Sequence, residues 1–297
     1  MILLLGGRGF IGSAIQNSLI GHRVPFESIS RSEVDYTQLD ALVRLIRDRR
    51  PEFLINAAGF TGRPNVDACE VHRTECLAGN AVLPGVIRMA CERTETPWGH
   101  VSSGCIYTGK RPDGGGFTES DLPNFSFRQN NCSFYSGCKA LGEEVLEGAA
   151  ECFLWRLRIP FSPIDSPRNY ISKLMRYDRL LDAENSLSSL DQFADAVVCS
   201  WTDRIPFGTY NLTNPGSVTT RDVVRMIRRA GLSDKNFEFF ASEGQFMDVA
   251  AKAPRSNCVL DVRKALNAGL QLTPIDEALD RAMKNWCWSH ESRRASA

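Results

Sequence analysis

An α/β fold built on a doubly wound parallel sheet, followed by a smaller lobe, is predicted by three observations. Apolar runs of strand length alternate with helical stretches through the first half of the chain. The first run, Met1-Ile2-Leu3-Leu4-Leu5, leads straight into Gly6-x-x-Gly9-x-x-Gly12 and an amphipathic helix. After Pro160 the alternation weakens, and Pro160, Pro163 and Pro167 mark a departure from the sheet. The expected organisation is a Rossmann-type dinucleotide-binding domain over residues 1–160, with a returning piece at about 187–212. Residues 161–186 and 213–297 then form a smaller C-terminal substrate-binding lobe, with a cleft between the two.

Taken in order, strands are expected at Ile2–Leu5, Val24–Ser30, Phe53–Asn56 and Gly99–Ser103, with Cys152–Arg158 further on. Pro51 opens the third and Pro97 precedes the fourth, both sensible places for a helix to have stopped. Helices fall at about Phe10–Ile20, Thr37–Asp48, Val66–Arg93 (interrupted near Gly79) and Tyr135–Ala149. Lys110–Asn131 is a long loop rich in Gly, Asn and Ser, and loops of that length in compact domains tend to be functional. A strand-helix piece near Leu187–Thr202 returns to the sheet, and short elements and helices follow from about Thr209 to a polar tail.

Composition narrows the partners. Lys plus Arg and Asp plus Glu balance at 35 each, which favours neither nucleic acid nor an acidic membrane surface. No run of 18 apolar residues offers a membrane span, and the N-terminal apolar run has no basic region before it. Ten cysteines without small-domain spacing suggest a reducing compartment, so a cytoplasmic location is expected. Cys69, His72 and Cys76 could share a helical face, but the spacing is not a standard zinc set and no fourth ligand lies nearby. They read as packing cysteines and a surface histidine, with no metal expected.

The glycine segment, Gly6, Arg8, Gly9, Phe10, Ile11 and Gly12, has the physics of a pyrophosphate site. Glycines let the backbone approach, and a helix N-terminus meets the charge. No Gly-Lys-Ser/Thr follows, which excludes a Walker loop. The second strand ends Ser28-Ile29-Ser30-Arg31-Ser32 without an acidic residue to accept from a ribose hydroxyl. Arg31 with Arg8 could pair a 2′-phosphate, which favours NADPH over NADH; solvated arginines are the competing reading, and Asp35 is close in sequence. Asn56, Ala57 and Ala58 end the third strand with small residues suited to backbone beside a cofactor, and Asn80 is placed to brace them.

Tyr135 and Lys139 lie one turn apart on a predicted helix and can face one ligand. An ammonium and an oxidised nicotinamide would lower the phenol's pKa of ~10. In reduction the phenol would protonate a carbonyl oxygen, with Ser103 hydrogen-bonding the same atom. Gly6/Gly9/Gly12, Asn56-Ala57-Ala58-Gly59, Ser102-Ser103-Gly104-Cys105-Ile106-Tyr107 and Tyr135-x-x-x-Lys139, in this order, resemble the extended short-chain dehydrogenase/reductases. Gly59–Asp67, Pro167–Lys173, Tyr210–Gly216 and Ala253–Asn257 look like one subgroup: the dTDP-4-dehydrorhamnose reductases and, more closely, the plant-type nucleotide-rhamnose epimerase-reductases.

That resemblance implies NADPH-dependent reduction of the C4 ketone of a nucleotide-linked 4-keto-6-deoxyhexose, preceded in the bifunctional subgroup by epimerisation at C3 and C5. It assigns the epimerase cysteine and lysine to Cys105 and Lys173, and places Arg63, Arg168, Asn169 and Arg255 with the substrate. The alternatives are reduction alone, or a dinucleotide-binding regulatory subunit without turnover. The carrier, among UDP, dTDP, GDP and CDP, stays open. A homodimer through the helices around Tyr135 is also implied. The chain departs from the subgroup at Ser126–Cys132, which carries extra residues including Arg128, Asn130 and Asn131 and is expected to abut the active site.

Overall fold

The computed structural model describes residues 1–63 and 65–289. Its first half runs β1 (Ile2–Leu5), α1 (Phe10–Gly21), β2 (Phe26–Ile29), α2 (Leu39–Arg49) and β3 (Phe53–Asn56). A 3₁₀ turn (Val66–Glu70) leads into α3 (Arg73–Leu77), a π-helical turn (Ala78–Val82) and α4 (Leu83–Arg93). β4 (Trp98–Ser103), α5 (Phe134–Val145) and β5 (Cys152–Leu157) complete this half. The second half carries β6 (Pro160–Phe161), α6 (Tyr170–Arg176), β7 (Arg179–Leu180), β8 (Glu184–Asn185), β9 (Ser188–Ser189), α7 (Leu190–Thr202) and β10 (Gly208–Asn211). After these come β11 (Val218–Thr219), α8 (Thr220–Arg229), β12 (Glu238–Phe239), α9 (Glu243–Val249), α10 (Arg263–Asn267) and α11 (Ile275–Lys284).

Six strands form one parallel sheet in the order β10-β5-β4-β3-β1-β2. The chain winds outward from β1 to β2 and returns on the other side at β3. Open α/β sheets bind ligands beyond the strand carboxyl ends at such a reversal. β1 is apolar throughout because both its faces are covered. Ile2 and Leu4 pack with Ile15, Leu19, Phe193 and Val197 of α1 and α7, while Leu3 and Leu5 pack with Leu42, Ile46 and Ile87 of α2 and α4. A third core, including Phe161, Ile171, Leu187, Val223, Ile227 and Leu279, belongs to the second half.

The expected α/β architecture is present, with three adjustments. The returning piece joins the sheet through β10, which pairs with β5 after α7; the strand preceding that helix, β9, pairs instead with β6. The stretch expected as a helix over Val66–Arg93 with an interruption near Gly79 has that interruption as the π turn, and is broken a second time at Val71-His72. Finally, the loop expected to abut the active site stays off the main cleft, with only Cys132 at its end coming near Cys105. Arg128 pairs with Glu144 at 2.7 Å, Asn131 donates to the Asn124 carbonyl, and none of Ser126–Cys132 lines the main cleft. Phe127 fills the space over Gly137, where a Cβ would sit 2.3 Å from its ring. Among the described residues no helix is long and apolar enough to cross a membrane.

Candidate active site

Beyond the carboxyl ends of β1, β3, β4 and β5 lies a cleft of about 1450 Å³. Gly6 turns the chain out of β1 at φ +79°, and a Cβ there would lie 2.5 Å from the Ala58 amide nitrogen. At Gly12 a Cβ would meet the Gly6 carbonyl oxygen at 2.1 Å. These two glycines press the helix onto the strand, while Arg8 to Ile11 line the cleft at the N-terminus of α1.

Asn56 and Asn80 set the floor from below. Asn56 is buried outside the cleft, bonded to His100 Nδ1 at 2.8 Å and accepting from the Ala58 amide at 3.0 Å. Asn80, on the π turn, donates to the Phe60 carbonyl at 2.7 Å and accepts from the Phe60 amide at 3.2 Å. Ala57, Ala58 and Asn80 reach the cleft, so the backbone at the end of β3 is held where small side chains leave it open.

Behind the glycine loop is a smaller cleft of about 300 Å³, lined by residues including Arg8, Ser28, Ser30, Arg31 and Glu33. The Glu33 carboxylate accepts from the Ser30 amide at 2.8 Å and its hydroxyl at 2.5 Å, and these bonds hold its pKa below the ordinary value. Asp35 turns away to Thr37. No acid stands at the strand tip itself, but Glu33 folds back to it from three residues further on, a return that sequence spacing does not reveal.

Ser103, Tyr135, Lys139 and Cys105 meet on the cleft wall formed by β4, the turn after it and α5. Ser133 caps α5 by accepting from the Ser136 amide, which fixes where the helix begins. Burial pushes the Tyr135 phenol well above its ordinary value, and the neighbouring Cys105 thiol adds to the rise while Ser103 opposes it. Lys139 is 6% exposed and donates to the Val101 carbonyl at 3.4 Å; burial lowers its pKa, opposed by the neighbouring thiols and Glu143. Cys105 is 5% exposed, and burial raises its thiol against hydrogen bonds from Ser103 and Ser136. Lys173 lines the α6 wall, lowered by desolvation and by Arg168, with no carboxylate partner among the described residues.

The four residues expected at the substrate end separate. Arg63 is exposed on the rim without an ion pair among the described residues. Arg168 donates to Thr61 Oγ1 and to the Gly62 carbonyl at 3.2 Å. Arg255 grips Asp67 through two bonds of 2.6 Å. Two arginines of the second half thus strap the segment after β3. Asn169 does not reach the cleft: fully buried, it caps α6 at the Ile171 amide and donates to the Ser162 and Ile164 carbonyls. An asparagine before a helix is a cap first, and this one has no donor left for a ligand.

Sequence reasoning also missed the far wall. Tyr177, Phe240 and Phe246 line the cleft there, with Arg179 over Phe240 and Arg255 over Phe246. Arg158, which lines the same cleft just past β5, was missed too. Cys69 and Cys76 pack with Cys138, while His72 lies outside beside Glu75 at 3.7 Å.

Residues 1–287 match the family described as the RmlD substrate binding domain. A bifunctional dTDP-4-dehydrorhamnose 3,5-epimerase/dTDP-4-dehydrorhamnose reductase of Arabidopsis thaliana is 34% identical over 244 residues, 80% of this chain and 78% of that protein. A trifunctional UDP-glucose 4,6-dehydratase/UDP-4-keto-6-deoxy-D-glucose 3,5-epimerase/UDP-4-keto-L-rhamnose-reductase of the same plant is 32% identical over 282 residues, 93% of this chain. The chain spans only 41% of that relative's length. Among solved structures, a UDP-rhamnose synthase of Acanthamoeba polyphaga mimivirus superposes with a TM-score of 0.87 at 24% identity, covering 96% of this chain and 98% of that one. A dTDP-4-dehydrorhamnose reductase of Bacillus anthracis in complex with NADP gives 0.77 at 18% identity, covering 94% and 96%.

Proposed function

This chain belongs to the RmlD substrate-binding domain family, and from that premise we propose that it reduces the C4 ketone of a 4-keto-6-deoxyhexose linked to UDP or dTDP, after inverting C3 and C5 at the same site. The observation that carries the reading is the gathering of Ser103, Tyr135, Lys139 and Cys105 on a cleft that also receives the glycine loop. The Arabidopsis relatives, whose names join a 3,5-epimerase to a reductase, support the same pairing.

The residues fit a nicotinamide dinucleotide. A helix start without acidic side chains in its first turn opens on the cleft, and two arginines flank the smaller cleft behind it. When bound there, NADPH supplies a hydride to the ketone carbon. Tyr135 gives its proton to the ketone oxygen, Ser103 hydrogen-bonds that oxygen, and the Lys139 ammonium offsets charge left on the phenol. For epimerisation the Cys105 thiolate removes a proton from the carbon beside the ketone. The C–H electrons pass into an enolate, and the Lys173 ammonium returns a proton from the α6 wall.

One experiment separates the steps. UDP- and dTDP-4-keto-6-deoxyglucose are incubated in D2O without NADPH while C3 and C5 are followed by NMR, and NADPH is then added. Exchange followed by NADPH consumption is expected. Consumption without exchange would leave a reductase alone, and no consumption with either sugar would overturn the reading. A pure regulatory subunit gives the last result, but it would have no chemical use for the assembled Ser103, Tyr135 and Lys139.

Cofactor choice has its own test. Arg31→Ala should weaken NADPH at least ~10-fold and NADH by no more than ~2-fold, because only NADPH has a 2′-phosphate for the guanidinium. Fluorescence titrations read both, and equal losses would place phosphate recognition elsewhere. Glu33 shares that small cleft and favours a ribose hydroxyl, so the ratio of the two affinities reports which charge prevails.

A further inference from the structure

Arg158 follows β5 and is 5% exposed, yet no carboxylate pairs with it among the described residues. Its Nη2 donates to Asn185 Oδ1 at 2.6 Å and to the Ser256 carbonyl, both neutral acceptors. Its Nε–H is buried without a partner. A buried cation is costly unless charge or hydrogen bonds compensate it, so an arginine in this state needs an explanation. Its position supplies one. It lines the main cleft together with Cys105, and a Cβ on Gly104, the residue before Cys105, would lie 3.5 Å from Arg158 Cδ.

The titratable and charged groups around the Cys105 thiol are Tyr135 and Lys139 on α5, Cys132 before that helix, Cys69 on the 3₁₀ turn, Cys258 of the same buried cluster and Arg158, together with the hydroxyls of Ser103 and Ser136. Two of these are cations. Lys139 donates to the Val101 carbonyl and stands near both Cys105 and Glu143, although the Glu143 carboxylate itself is held by Arg156. Arg158 has no anion of its own. We propose that Arg158 is the positioning cation that stabilises Cys105 as a thiolate for proton abstraction beside the ketone.

This rests on the epimerase half of the proposed function. The proton leaves the thiol for solvent before the substrate reacts, and Arg158 compensates the sulfur's charge without itself exchanging a proton. The carbon-bound proton then moves to sulfur, and that charge passes to the enolate oxygen.

The test follows Cys105 itself. Wild type, R158M and R158K are alkylated with iodoacetamide across the pH range, and the peptide carrying Cys105 is quantified by mass spectrometry. Cys258, which also adjoins Arg158, is followed as a second thiol. In R158M the Cys105 midpoint should rise by about one pH unit or more, and deuterium incorporation at C3 and C5 near neutral pH should fall about tenfold. R158K, which keeps the charge, should restore most of both. A midpoint unmoved in folded R158M, or a rise as large in R158K, would overturn the proposal. Should R158M not fold, R158Q carries the same readout. If wild type reduces the sugar without exchange, the epimerase reading fails, yet the alkylation midpoints still decide whether Arg158 governs the thiol.

Discussion

Tyr135→Phe should lower ketone reduction at least ~100-fold while leaving NADPH binding largely intact. The change removes one hydroxyl from a ring that packs on the Cys105, Ile106 and Ala140 cluster, so the fold should survive. The direction of the phenol's shift adds a second signature. Burial holds its pKa above the ordinary value, so before cofactor binds the group keeps its proton through neutral pH. A proton donor of that kind supports reduction at neutral pH and loses effect only as pH rises through its titration. The reverse oxidation needs the phenolate and should quicken with pH over the same range. Steady-state rates in both directions check the pair, and turnover unchanged in the variant would remove Tyr135 from the reaction.

Glu143→Ala should cost about 3–5 kcal/mol of stability. Its carboxylate is gripped by Arg156 through Nε at 3.0 Å and Nη2 at 2.6 Å, and it also accepts from the Ser102 hydroxyl at 2.5 Å. Both members of the pair are buried between α5 and β5. Truncating the acid leaves a guanidinium in the interior without a carboxylate bonded to it. Urea denaturation measures the loss, and adding Arg156→Met should recover much of it, since an apolar pair of similar bulk avoids the stranded charge. A cost under about 1 kcal/mol would mean that water reaches Arg156.

The parts of this protein legible in its sequence are those dictated by local rules. β1 and β3 were readable to the residue because a strand buried on both faces is apolar without a break. β2 was expected from Val24 to Ser30 but spans only Phe26–Ile29, because strand ends depend on the neighbour and β1 pairs only those four residues. The glycine loop and the Tyr135–Lys139 spacing carry their own geometry, so their meeting in one cleft could be anticipated. Glu33, Arg158, Phe240 and Phe246 could not. Glu33 reaches the smaller cleft from a loop, Phe240 and Phe246 reach the main one from a distant lobe, and Arg158 stands just past β5, where nothing local tells a cleft-facing arginine from any other. Asn169 shows the reverse: a polar residue in a strongly recognisable segment whose hydrogen-bonding capacity goes to capping a helix and to the Ser162 and Ile164 carbonyls. The substrate-end arginines lie between these cases, since Arg168 and Arg255 line the cleft while already bonded to Thr61, Gly62 and Asp67.

The π turn at Ala78–Val82 holds one residue more than a regular α-helical path would. Removing that surplus would let the helix close into uninterrupted α form, and every side chain on one side of the join would swing by roughly 100° relative to the other. Asn80 would rotate off the Phe60 backbone and release the floor beneath the end of β3. Length in this stretch is therefore as constrained as residue identity: a single deletion there, though it removes none of Ser103, Tyr135 and Lys139, should disable the protein where many substitutions nearby would be absorbed.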